Sequence, residues 1–182
     1  LAALNYNPEA TEDSSNCVYV HDTYDYEEFT YRSVMIGDQE WMVDNLRVTQ
    51  YRDGSPIPNV IDFSEWHGLS TGAWSEYNNE PNLGNIYGKL YNWYAVDDDH
   101  NIAPVGWHVP TDEEWMELEM RLGMSLEEAQ GEGYRGTNEG GKLKIAVDNY
   151  WDIPNVAATN ESGFSGLPGG GRSNLDGQYI NL

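Results

Sequence analysis

Phe29-Thr30-Tyr31-Arg32-Ser33-Val34-Met35-Ile36-Gly37-Asp38-Gln39-Glu40-Trp41-Met42-Val43 decides the fold class of this 182-residue chain. Residues 29–36 alternate as a strand does, Gly37-Asp38 supplies a two-residue turn, and Gln39 to Val43 returns as a second strand. Further on the period changes to that of a helix. Thr111 is an N-cap after Pro110, Glu114 completes a capping box, and Asp112 and Glu113 favour the helix dipole. Trp115, Leu118 and Leu122 then share one face, and Gly123 stops the helix. Ser125-Leu126-Glu127-Glu128 is a second capping box and opens a short helix. Leu90, Trp93 and Tyr94 fall on one helical face, which predicts a helix over 88–96. No long parallel βαβ pattern is present, so the class is α+β.

The rest of the chain is irregular. Residues 1–26 are turn-rich, hold no Lys or Arg, and run into an acidic connector, Asp22 to Glu28. Residues 51–85 hold many Gly, Pro, Asn and Ser with scattered Trp66, Trp74 and Tyr77, which predicts a long ordered loop region. From Gly131 onward glycine punctuates the chain.

The chain carries 31 Asp+Glu against 9 Lys+Arg, a formal net charge of −22, and 13% of it is aromatic. An aromatic content of that size supports a core and excludes a disordered acidic tail. With lysine only at 89, 142 and 144, no basic patch can neutralise phosphates, so nucleic acid and anionic membrane are poor partners. Cations, above all Ca²⁺, and neutral sugars suit carboxylates and aromatic faces better. No run of ~18 apolar residues is present to span a bilayer. The first residue is not Met and no signal-peptide pattern follows it, which reads as a processed or trimmed N-terminus.

A lone cysteine, Cys17, excludes an internal disulfide framework and any Cys-rich zinc or iron–sulfur site. The string Leu4-Asn5-Tyr6-Asn7-Pro8-Glu9-Ala10-Thr11-Glu12-Asp13-Ser14-Ser15-Asn16-Cys17 resembles the second half of a short repeat of large secreted Bacteroidota proteins. That resemblance implies a disulfide from Cys17 to a cysteine outside the chain, and a secreted or bacterial cell-surface location. A tolerated free thiol is the alternative.

Several motifs converge on one family. Val34-Met35-Ile36-Gly37-Asp38-Gln39-Glu40-Trp41-Met42 with Asp44-Asn45-Leu46-Arg47 resembles the opening of the Fibrobacter succinogenes major paralogous domain. Tyr87-Gly88-Lys89-Leu90-Tyr91-Asn92-Trp93, Gly106-Trp107-His108-Val109-Pro110-Thr111-Asp112-Glu113-Glu114-Trp115, Gly140-Gly141-Lys142-Leu143-Lys144 and Gly163-Phe164-Ser165-Gly166-Leu167-Pro168-Gly169-Gly170 follow in the family's order. The organisation implied is the end of a linker repeat with its connector over 1–26 and the family domain over 27–182. The resemblance further implies a C-type lectin-like fold related to formylglycine-generating-enzyme domains, with a small twisted antiparallel sheet, two main helices at 88–96 and 111–122, and extensive ordered loops that form a ligand face. Members continue past the Leu-Pro-Gly-Gly segment to a closing strand. Its absence here implies either that more chain follows or that a neighbouring chain supplies the strand.

Candidate sites follow from residue chemistry. Asp97-Asp98-Asp99, before His100 and Asn101, clusters hard oxygen ligands for calcium, without the alternating register of an EF-hand. Asn5, Asn7, Glu9 and Asp13 form a similar group in the repeat. Glu80-Pro81-Asn82 matches the calcium triplet of sugar-binding lectins but precedes the 111–122 helix, where lectins place it after the second helix, so it reads as a turn. Trp66, Trp74 and Tyr77 are candidate sugar-stacking rings. His108 reads as a hydrogen-bonded core residue. The histidines have no HExxH spacing, Gly169-Gly170-Gly171-Arg172 is no phosphate loop, and formylglycine-generating chemistry needs two late cysteines and copper. The expected function is therefore a non-catalytic extracellular binding or adhesion module for a glycan or surface protein, with Ca²⁺ as its candidate cofactor and no redox or nucleotide cofactor. The alternative is a structural subunit of an extracellular filament or assembly of identical subunits exchanging strands.

Overall fold

Thr23–Tyr26 (β1), Phe29–Ile36 (β2) and Gln39–Met42 (β3) form a three-stranded antiparallel meander in the computed structural model, which describes residues 20–147 and 149–181. The hairpin expected from sequence closes in the register Ile36↔Gln39, with Gly37 at φ 65° in its turn. β1 lies in the stretch read as connector. Glu27-Glu28 turns it onto β2, in the register Tyr26↔Phe29. Cys17 and the repeat residues before it lie outside the described residues.

The described residues divide into two units, 20–44 with 110–167 and 45–109 with 168–181. In the first unit, Val34 and Ile36 of β2 meet Trp41, Val43, Leu118 and Leu122 in one apolar cluster, with Leu143 and Phe164 against it. The opposite face of β2 buries Tyr31 and Ser33, which is why this strand is covered on both sides. Leu118 projects from the helix Asp112–Arg121, whose Thr111–Glu114 capping box forms as the sequence predicts. A second capping box, Ser125–Glu128, starts the short helix Leu126–Ala129, and the helix Glu139–Leu143 completes the unit.

The second unit holds the remaining helices, Phe63–His67 (α1), Pro81–Tyr87 (α2) and Trp93–Val96 (α3). In chain order the helices of the first unit are thus α4 (Asp112–Arg121), α5 (Leu126–Ala129) and α6 (Glu139–Leu143). Two short antiparallel pairs accompany α1–α3: Trp74–Ser75 (β4) with Leu90–Tyr91 (β5), and Gly171–Arg172 (β6) with Tyr179–Ile180 (β7). Two short helices, α1 and α2, therefore punctuate the region read as a long loop.

The expected architecture of one small sheet and two main helices, closed in the C-type lectin manner, is overturned. Six α-helices and three separate small sheets are present among the described residues, and the C-terminal strands β6 and β7 pair with each other. No helix spans 88–96. Gly88 breaks it at φ 78°, where a Cβ would stand 2.7 Å from Asn45 Cβ and 2.8 Å from Leu46 O. The chain then pairs through β5, and Asn92 restarts a single helical turn by accepting from Ala95 N.

Candidate functional site

Asn92 fixes the surface on which the exposed aromatic residues of the second unit stand. Its side-chain oxygen accepts from Ala95 N and from Ala73 N, both at 3.0 Å, and its amide donates to Thr71 O at 2.8 Å. α3 is thereby tied to a neighbouring loop, with Ala95 fully buried beneath it. Trp93 and Tyr94, at the head of this turn, are 67% and 45% exposed. A tryptophan that open on a locked helical turn contributes little to the core and presents a rigid apolar plane.

The acidic loop follows directly. Asp98 Oδ1 accepts from His100 N at 2.9 Å and lies 2.5 Å from His100 Nδ1. His100 Nε2 lies 3.8 Å from Asp53 Oδ2, and Asp53 Oδ1 accepts from Ser55 N and Ser55 Oγ. Tyr51 lies near the imidazole, with ring centroids 5.7 Å apart, and its hydroxyl helps to lower the Asp98 pKa. The Asp98 hydrogen bond raises the His100 pKa, helped by the Asp53 charge. Hydrogen bonds from His100 N–H hold Asp98 below the usual carboxylate range, and those from Ser55 do the same for Asp53. The result is an exposed carboxylate–imidazole–carboxylate bridge joining loop 51–55 to loop 97–101. Arg52 reinforces the same side by donating to the carbonyls of Ala103, Pro104 and Trp107.

Asp97, Asp98 and Asp99 are adjacent in sequence but do not converge. Asp98 turns to His100, and no group of three or more His, Cys, Asp or Glu able to hold a metal is formed among the described residues. Trp66, Trp74 and Tyr77 are buried at 5%, 9% and 9% exposure. Trp66 packs with Val60 and Ala73, Trp74 Nε1 donates to Ile57 O, and Tyr77 lies against Tyr179, so their ring faces are covered. Glu80-Pro81-Asn82 begins α2, with Pro81 in its first turn. His108 is exposed, not a core residue. Trp93 and Tyr94, which the sequence places with Leu90 on one helical face but not among the candidate rings, are the exposed pair. Asn92 ahead of them was the available signal, since an N-cap residue restarts a helix and resets which face is buried.

These folded units and this loop face define a mixed α+β domain with a polar and aromatic surface, and no helix among the described residues is long and apolar enough to cross a membrane. The chain belongs to the Fibrobacter succinogenes major domain family, whose family model matches residues 34–181. Comparisons with curated proteins and with solved structures give no match.

Proposed function

We propose that the chain is a non-catalytic binding module of a secreted or cell-surface protein, taking a neutral saccharide on the face built by α3 and loops 51–55 and 97–101. The exposure of Trp93 on a locked helical turn carries this reading. The apolar face of a pyranose ring stacks on an indole plane, and exposed carboxylates such as Asp97 and Asp99 accept from sugar hydroxyls. The exposed carboxylates Asp53, Asp97 and Asp99 favour neutral over anionic ligands at this face.

A glycan array probed with the full chain, in Ca²⁺ and in EDTA, tests the proposal. The two arms also decide whether the oxygen donors of 97–99 recruit calcium for binding. Retention of neutral oligosaccharides that Trp93→Ala abolishes, with the circular dichroism spectrum unchanged, supports it. No retention in either arm, or retention indifferent to Trp93→Ala, overturns it.

A further inference from the structure

Two basic side chains, Arg121 at the C-terminal end of α4 and Lys142 of α6, line one cleft, and neither forms an ion pair among the described residues, although the Lys142 charge is felt by Glu139. Arg121 and Lys142 line a cleft of about 220 Å³ in the first unit, together with Met35, Gly37, Glu161 and Ser162. Arg121 is exposed and lies along the β2–β3 turn, where a Cβ on Gly37 would stand 3.3 Å from its Cγ, Cδ and Nε. Lys142 Nζ donates to Leu122 O at 2.6 Å, which uses one of its three N–H groups.

Three other basic residues find acids, Arg32 with Asp44, Lys89 with Glu76 and Arg135 with Glu119, while Arg52 and Arg172 end on backbone carbonyls. Among the described residues no Asp or Glu oxygen pairs with Arg121 or Lys142, although 31 acids share the chain with 9 bases. A guanidinium fork beside an ammonium is the donor set for a carboxylate. The remaining acidic residues do not forbid such a ligand, because charges beyond ~8 Å are screened at physiological salt. Glu161 narrows the choice. Its carboxylate repels a ligand that is anionic throughout but accepts from hydroxyl groups, and a hexuronate offers one carboxylate among several hydroxyls.

We propose that this cleft is an acidic-sugar site, in which Arg121 and Lys142 hold a hexuronate carboxylate and Glu161 accepts from its hydroxyls. The site lies in the other unit from Trp93 and stands or falls independently of the saccharide face proposed above.

Galacturonate, neutral galactose and N-acetylaspartate are titrated into the ¹⁵N-labelled full chain and followed by amide chemical shifts. Galacturonate is expected to move Gly37, Arg121 and Lys142, galactose to leave them still, and N-acetylaspartate to bind more weakly. Arg121→Gln, which removes no side-chain hydrogen bond among the described residues, is expected to weaken galacturonate roughly tenfold. Glu161→Gln is expected to narrow the difference between galacturonate and N-acetylaspartate. Equal or tighter binding of N-acetylaspartate to the unaltered chain would assign the cleft to a peptide carboxylate and overturn the proposal. So would an absence of shifts at tens of millimolar galacturonate, or affinity unchanged in Arg121→Gln.

Discussion

The guanidinium carbon of Arg172 lies 4.3 Å from the ring centroid of Trp66, and its N–H groups end on backbone carbonyls. Nε donates to Gly177 O, NH1 to Val60 O, and NH2 to Ile61 O and Asp62 O. Tyr179 and Phe63 flank the same group at 4.9 and 5.7 Å. Burial lowers the Arg172 pKa, yet an arginine stays charged at any working pH. One planar cation therefore fastens the β6–β7 hairpin to the segment leading into α1, and in doing so covers Trp66.

Arg172→Ala removes the fork and leaves several carbonyls without their donor, so it is expected to cost about 2–4 kcal/mol. Arg172→Lys keeps the charge but not the fork and is expected to recover less than half of that. Urea unfolding of both variants checks the order. A lysine variant as stable as the parent would show that charge alone, not planar bonding and stacking, holds the hairpin.

His100 predicts a pH dependence of opposite sense to ordinary acid unfolding. Its folded pKa is raised by Asp98, so the stability it contributes is fully present below its unfolded pKa, about 6.5. That contribution is lost as pH rises through the raised folded value. The melting temperature is therefore expected to fall between mildly acidic and mildly alkaline pH, and His100→Gln to flatten this fall. The imidazole is exposed, so the effect is small and weakens with added salt. Histidine resonances followed by NMR across the same range give the pKa directly; a value at or below that of a free histidine would refute the bridge.

Leu118 is fully buried between α4 and the β2–β3 hairpin, where it meets Val34, Trp41 and Leu122. Leu118→Ala is expected to cost about 2–5 kcal/mol in urea unfolding, through lost burial and the cavity left behind. Tryptophan fluorescence gives a second readout, because the Trp41 and Trp115 ring centroids are 4.8 Å apart in the neighbouring aromatic group.

The parts of this fold legible in sequence are those whose stabilisation is local. The Gly37-Asp38 hairpin and the capping boxes at Thr111 and Ser125 depend on residues within a few positions of one another, and all three form. The 88–96 segment was misread because its periodicity competes with a tertiary constraint, the approach of Asn45 and Leu46 to Gly88, which no local pattern carries. The candidate face was half legible. Asp98 and His100 are neighbours in the sequence, but their partners Asp53 and Tyr51 arrive from a loop more than forty positions away. Trp66, Trp74 and Tyr77 lie in a Gly- and Pro-rich region, yet that region folds around them. Composition describes how regular a backbone is, and the burial of a ring within it depends on contacts such as Arg172 over Trp66.

Gly170 offers a test of how tightly the second unit is packed around Tyr77. Its φ is 63°, and a Cβ there would stand 2.5 and 2.7 Å from Tyr77 ring carbons and 3.0 Å from Ile180 O. Gly170→Ala thus adds the strain of a left-handed residue, about 1–2 kcal/mol, to a steric clash with a buried ring. Tyr77→Leu shortens that ring and gives up its stacking with Tyr179 at 5.2 Å. The two changes compete for one space, so the double variant is expected to lose less stability than the sum of the single losses. Urea unfolding of the four chains gives the coupling. Strict additivity would mean that backbone strain alone, and not the approach of the Tyr77 ring, excludes a side chain at position 170.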